Sequence, residues 1–98
     1  MKNIESAING SKPALLEFYA TWCPHCQRMM PVIAELKDEM DGRACIIQIE
    51  GDDNPGMMDK FGVKSYPTFI LYKDGEEVWR DSGEKPYSEL ADMICRFE

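Results

Sequence analysis

Cations are scarce in this sequence: 11 Lys and Arg stand against 18 Asp and Glu, a net charge of −7, and the basic residues form no run. Such a chain repels phosphate backbones and anionic lipid surfaces, so nucleic acid and membrane are set aside as partners. A long apolar run is also lacking. Residues 1–6 are too polar for a secretory leader or a membrane span; the expected location is cytoplasmic, with a periplasmic or secreted one only if a leader was trimmed. Internal repeats, linkers and low-complexity segments are absent, and 98 residues leave no room for a second core. Residues 1–98 are therefore expected to be one domain, with a monomer as the default state. The apolar fraction of 44% and charged fraction of 30% are ordinary for a folded protein and argue against disorder.

Histidine occurs once and cysteine four times. A structural zinc site wants a second ligand pair, yet Cys45 and Cys95 lie far apart with no Cys or His near either, so no metal is expected. Haem attachment needs a His directly after the second Cys of a pair, where this chain has Gln27. What remains is one close pair, Cys23 and Cys26, plus two single cysteines in apolar stretches whose expected role is core packing. The methionine pairs Met29-Met30 and Met57-Met58 are likewise expected to fill core.

Along the chain, residues 1–9 form a short, weakly amphipathic helix that Gly10 stops. Residues 13–20 are apolar but for Glu17, the pattern of a central strand buried on both faces. The cysteine pair follows. Then Met29, Met30, Val32, Ile33, Leu36 and Met40 recur at helical spacing, with Pro24 suited to the first turn and Pro31 expected to bend the helix. Residues 44–50 read as a second buried strand, and Asn54-Pro55 opens a short helix towards Phe61-Gly62. Residues 68–73 and 76–82 flank Asp74-Gly75, a hairpin signal, and Tyr87, Leu90, Ala91, Ile94 and Cys95 mark a closing helix. The order α-β-α-β-α-β-β-α implies an α/β fold with a mixed sheet of about four strands and helices on both faces.

The chemistry sits where the first strand hands over to a helix. There the sulfur of Cys23 meets unpaired backbone N–H groups and the positive end of the helix dipole, which favours a thiolate. Cys26 lies most of a turn further on, placed to attack a mixed disulfide formed at Cys23. His25 between them, when protonated, stabilises the Cys23 thiolate further. Glu17 is a carboxylate in an apolar strand, where a charge is costly and should titrate abnormally high. These features imply a thiol–disulfide oxidoreductase exchanging disulfides with protein substrates, its redox group the Cys23–Cys26 couple and no other cofactor needed.

At this point the sequence resembles the thioredoxin family along nearly its whole length. The resemblance rests on Phe18-Tyr19-Ala20-Thr21-Trp22-Cys23, Asn54-Pro55, Phe61-Gly62-Val63, Tyr66-Pro67-Thr68 and Tyr72-Lys73-Asp74-Gly75. It implies the thioredoxin fold in a compact form lacking an extra N-terminal strand. By the same resemblance Pro67 looks like the family's cis-proline, packed against the redox pair. Trp22, Tyr66, Pro67 and Gly83 would rim a groove where the Tyr66 backbone pairs with an extended substrate. Glu17 matches the family's buried acid, usually Asp, which helps take the proton from the resolving thiol. Gln48 stands where thioredoxins commonly carry a lysine, so the charge that would compensate that acid is missing there. The dipeptide Pro24-His25 departs from the usual Gly-Pro and looks like that of DsbA, an oxidant with a low thiol pKa. A thioredoxin reductase is the partner that the resemblance suggests for recycling. The competing reading is a peptide-binding module that uses the Tyr66-Pro67 groove with little redox turnover.

Overall fold

A computed structural model describes residues 2–98. Helix α1 spans Lys2–Ile8, so the expected start at Met1 lies outside the described residues. Then follow β1 (Ala14–Tyr19), α2 (Pro24–Glu39), β2 (Cys45–Glu50), α3 (Pro55–Phe61), β3 (Thr68–Lys73), β4 (Glu76–Ser82) and α4 (Tyr87–Arg96). The strands form one sheet in the order β2-β1-β3-β4, with β1 parallel to β2 and antiparallel to β3, and β3 antiparallel to β4. This is the mixed sheet expected from the element order.

Side chains alternate across β1, and the two faces build two cores. Leu15, with Phe69 and Leu71 of β3, packs under α2 and α4 against Met29, Ile33, Leu36, Leu90 and Ile94. Leu16, Phe18 and Ile70 point the other way, towards α1 and α3. At about 25 cal/mol per Å², each of these buried side chains contributes about 1.5–3 kcal/mol. They hold β1 rigidly, and β1 is the strand that delivers the cysteines.

Punctuation residues act where the sequence places them. Asp74 (φ 53°) and Gly75 (φ 84°) both have positive φ, which matches the twist of a tight hairpin. The Gly75 N–H donates to the Ile8 carbonyl at 2.9 Å, tying α1 to the hairpin. Gly62 caps α3 in the left-handed region (φ 67°). Helix α2 runs through Pro31 without interruption.

Three burial expectations are overturned. β2 was expected to be buried, but it lies at the sheet edge, paired on one side only, and most of its residues are half-exposed. Met30 is 60% exposed: the buried stripe of α2 is Cys26, Met29, Ile33 and Leu36, and Met30 follows Met29 a further 100° around the helix. Cys45 and Cys95 are exposed, not core. Cys45 begins the edge strand, and Cys95 sits one position off the Leu90/Ile94 face of α4.

Candidate active site

Strand β1 ends at Tyr19, and after a short loop Cys23 occupies the cap position of α2, with Pro24 in the first turn. No side chain caps this helix, so its first backbone N–H groups are left to the sulfur. Cys23 and Cys26 are 5% and 3% exposed. Burial by itself pushes the Cys23 thiol up. The backbone N–H of Cys26, the Cys26 thiol, the backbone N–H of His25 and the Arg28 charge outweigh it, and the thiol falls below its ordinary value. Cys26 moves the other way. Burial first, and then the neighbouring Cys23 and Glu17, push it up to about 11 despite a lowering hydrogen bond at Ala20.

Opposite Cys23 lies the start of β3. The Tyr66–Pro67 peptide is cis, as expected, and the Cys23 Sγ donates to the Tyr66 carbonyl at 3.9 Å. The Gly83 N–H donates to the Pro67 carbonyl at 2.9 Å, so the loop after β4 braces the proline. Trp22, 64% exposed, meets Tyr66 edge to face with centroids 6.0 Å apart. Both aromatics donate to one carboxylate that the sequence reading missed: Trp22 Nε1 to Asp52 Oδ2 at 2.6 Å, and Tyr66 Oη to Asp52 Oδ1 at 2.9 Å. The available signal was topological. The loop leaving β2 emerges at the same end of the sheet as the loop leaving its parallel neighbour β1, and ligands of open α/β sheets sit beyond those strand ends. Gly51, just before Asp52, has no room for a side chain because the Tyr66 ring lies against it.

Two further carboxylates flank the pair. Glu17, 1% exposed, shares the α2 face of β1 with Leu15, and burial raises its pKa while a hydrogen bond from Gln48 and the charge of Lys37 lower it. Glu84, in the loop after Gly83, was not foreseen. It accepts from Arg28 Nε at 2.7 Å, and its Oε1 lies 2.7 Å from His25 Nδ1, which is 2.9 Å from Arg28 Nη2. A cleft of about 140 Å³, lined by Tyr19, Ala20, Thr21, Cys26, Gln27 and Met30, opens beside the second cysteine.

A thiolate-favouring cysteine at a helix tip, a second thiol one turn in and a cis-proline against the first form a disulfide-exchange geometry. The family model for thioredoxin matches residues 1–96. The chain belongs to the thioredoxin family. It is 42% identical over 92 residues to a thioredoxin of Staphylococcus saprophyticus, covering 94% of this chain and 84% of that one. A Staphylococcus haemolyticus thioredoxin is 40% identical over 93 residues, covering 95% and 85%. Among solved structures, a mutant thioredoxin from Halobacterium salinarum superposes with a TM-score of 0.89 at 30% identity, covering 99% of this chain and 84% of that one. A thioredoxin from Nicotiana alata does so with 0.89 at 32%, covering 99% and 83%. The fold is the thioredoxin fold, and this thioredoxin-family chain is a protein-disulfide oxidoreductase.

Within this thioredoxin site the compensating charge is not missing, as the Gln48 position had suggested. It comes from Lys37 on α2, whose Nζ donates to Gln48 Oε1 at 2.7 Å, and Gln48 in turn donates to Glu17 Oε1 at 2.9 Å. No helix among the described residues is long and apolar enough to cross a membrane, and none of them form a group of three or more metal-ligating side chains.

Proposed function

We propose that Cys23 is the attacking thiol and Cys26 the resolving thiol of a reductant of protein disulfides. Trp22, Tyr66, Pro67 and Gly83 form the groove that receives the substrate, Pro24 and His25 shape the helix tip, and Glu17 takes up the Cys26 proton. The observation that carries this reading is the opposite displacement of two thiols one helical turn apart, the lowered one facing the Tyr66 carbonyl.

The exchange balances as follows. The Cys23 thiolate attacks one sulfur of a substrate disulfide; that bond breaks, and the departing sulfur leaves with the electron pair and gains a proton. Cys26, losing its proton, then attacks Cys23 and expels the second substrate sulfur as a thiolate. That thiolate takes up a proton from water, so the substrate has gained two electrons and two protons, and the chain is left with a Cys23–Cys26 disulfide. A dithiol donor must restore it, and a thioredoxin reductase is the partner proposed. A monomer working in the cytoplasm completes the proposal.

The reductant direction is supported by Glu84, whose carboxylate contacts both Arg28 and His25 and offsets the Arg28 charge that would otherwise favour the Cys23 thiolate. The test is the Cys23–Cys26 equilibrium with glutathione, followed by tryptophan fluorescence. A potential of about −270 mV is expected for a reductant, whereas one of about −120 mV would overturn the direction. If no reversible disulfide forms, the catalytic assignment falls and the peptide-binding module takes its place.

A further inference from the structure

Glu17 is the one charged side chain of β1, and it sits on the face of the sheet covered by α2. Its register partner on the parallel neighbour is Gln48. Because β2 is the edge strand, a side chain on the rim of α2 can reach over it, and Lys37, next after the buried Leu36, does so. The amide of Gln48 is oriented from both ends: its oxygen accepts from Lys37 at 2.7 Å, and its nitrogen donates to Glu17 at 2.9 Å. An amide held this way aligns its dipole between a cation and a carboxylate; its Lys37 end is exposed, and its Glu17 end is part-buried, where such alignment counts for more than it would in water.

We propose that Lys37 is a positioning residue for the resolving step: through the Gln48 amide it steadies the ionised form of Glu17, the carboxylate that receives the Cys26 proton. This rests on the exchange reading above. In the step, the Cys26 S–H proton passes to Glu17, the freed thiolate attacks the Cys23 sulfur of the mixed disulfide, and the substrate sulfur leaves with the electron pair. Glu17 then returns the proton to water.

The groups facing Glu17 are few. From α2 come Cys26, whose thiol the Glu17 charge raises, and Lys37; from β2, the neutral Gln48; from β3, its register partner Phe69. Helix α4 contributes the buried Leu90 and Ile94 to this layer, with Tyr87, Ala91 and Met93 packed against it. Lys37 is the sole cation acting on the buried acid among the described residues. It is exposed, so replacing it leaves the core intact.

Two readouts test the proposal on the full chain. The first is a carbon-13 NMR titration of the Glu17 carboxyl in the reduced protein, which needs no turnover. The second is the pH profile of single-turnover release from a mixed disulfide preformed at Cys23. In Lys37→Met the Glu17 midpoint is expected to rise, and release at neutral pH to slow about two- to fivefold, part of the roughly 100-fold that a positioned base supplies. Lys37→Arg should restore both, and alkylation of Cys23 should not change. A Glu17 midpoint unmoved by Lys37→Met overturns the relay. A midpoint that moves while the release profile stays fixed overturns the claim that Glu17 receives the Cys26 proton. Should the wild-type chain form no mixed disulfide, the exchange reading fails by itself, and the titration still decides the role of Lys37.

Discussion

Cys23 and Cys26 are the same residue on the same helix, one turn apart, yet their thiols are displaced in opposite directions. The first sits at the open tip of α2, where backbone N–H groups have no carbonyl to bond and Arg28 adds charge. The second sits inside the helix, above the carboxylate of Glu17, where burial and negative neighbours disfavour a thiolate. Position on the helix, not the chemistry of cysteine, sets the two thiols apart. The largest effect that could break this comparison comes from swapping one sulfur at a time. Cys23→Ser is expected to abolish mixed-disulfide formation with a disulfide-bonded peptide. Cys26→Ser should accumulate that adduct, because nothing resolves it. Intact-protein mass spectrometry reads both, and an adduct in Cys23→Ser but none in Cys26→Ser would reverse the assignment.

The same contrast between inside and outside recurs in the carboxylates, with Glu17 buried beneath the pair and Glu84 half-exposed above it. Burial raises the Glu17 pKa from its ordinary value of 4.5. The folded protein then holds a proton that the unfolded chain has released, so stability falls as pH rises from 4.5 through the folded midpoint. Each unit of displacement is worth about 1.4 kcal/mol. Glu17→Gln keeps an oxygen to accept from Gln48 and removes the titration. The reduced variant is therefore expected to be more stable than wild type above pH 5, the gap widening with pH up to the folded midpoint of Glu17. The two should converge below pH 4. Urea unfolding across pH reads the difference, and parallel stability curves would show that Glu17 is not strained by burial.

How far the sequence reached follows from the range of each signal. The hairpin at Asp74-Gly75, the handover from β1 to α2 and the short helix from Asn54-Pro55 towards Phe61-Gly62 are written in adjacent residues, and they came out as read. Burial was less legible, because an apolar run such as Cys45-Ile46-Ile47 looks the same in an edge strand as in a central one. Only the order β2-β1-β3-β4 distinguishes them. In the site, Cys23, Cys26, Glu17 and Pro67 carried local signatures. Asp52, Glu84 and Lys37 did not: each is an ordinary surface residue in sequence, brought in from the β2–α3 loop, the loop after β4 and the flank of α2. Gln48 was read as leaving Glu17 without charge compensation, yet Lys37 supplies it from another element, a substitution in space that no spacing rule encodes.

The smallest expected effect concerns Glu84 and sharpens the comparison from the exposed side. Its carboxyl is held below the usual range first by the hydrogen bond from Arg28 and then by His25. The Arg28 charge is also among the groups that lower the Cys23 thiol. Glu84→Gln removes the anion and leaves that charge uncompensated at the helix tip. The Cys23 thiolate should then be favoured further, the reduced form stabilised and the potential moved to a less negative value. Glu84 and its partners face water, so screening limits the change to less than about tenfold in the glutathione equilibrium, or under about 30 mV. Raising the salt from 0.1 M to 1 M shortens the screening length from about 10 Å to about 3 Å and should shrink the difference between variant and wild type. A shift to a more negative potential would mean that Glu84 works chiefly by holding Arg28 close to Cys23, so that losing the carboxylate loses the cation with it. The sign of this small effect thus separates an anion that offsets the local charge from one that recruits it.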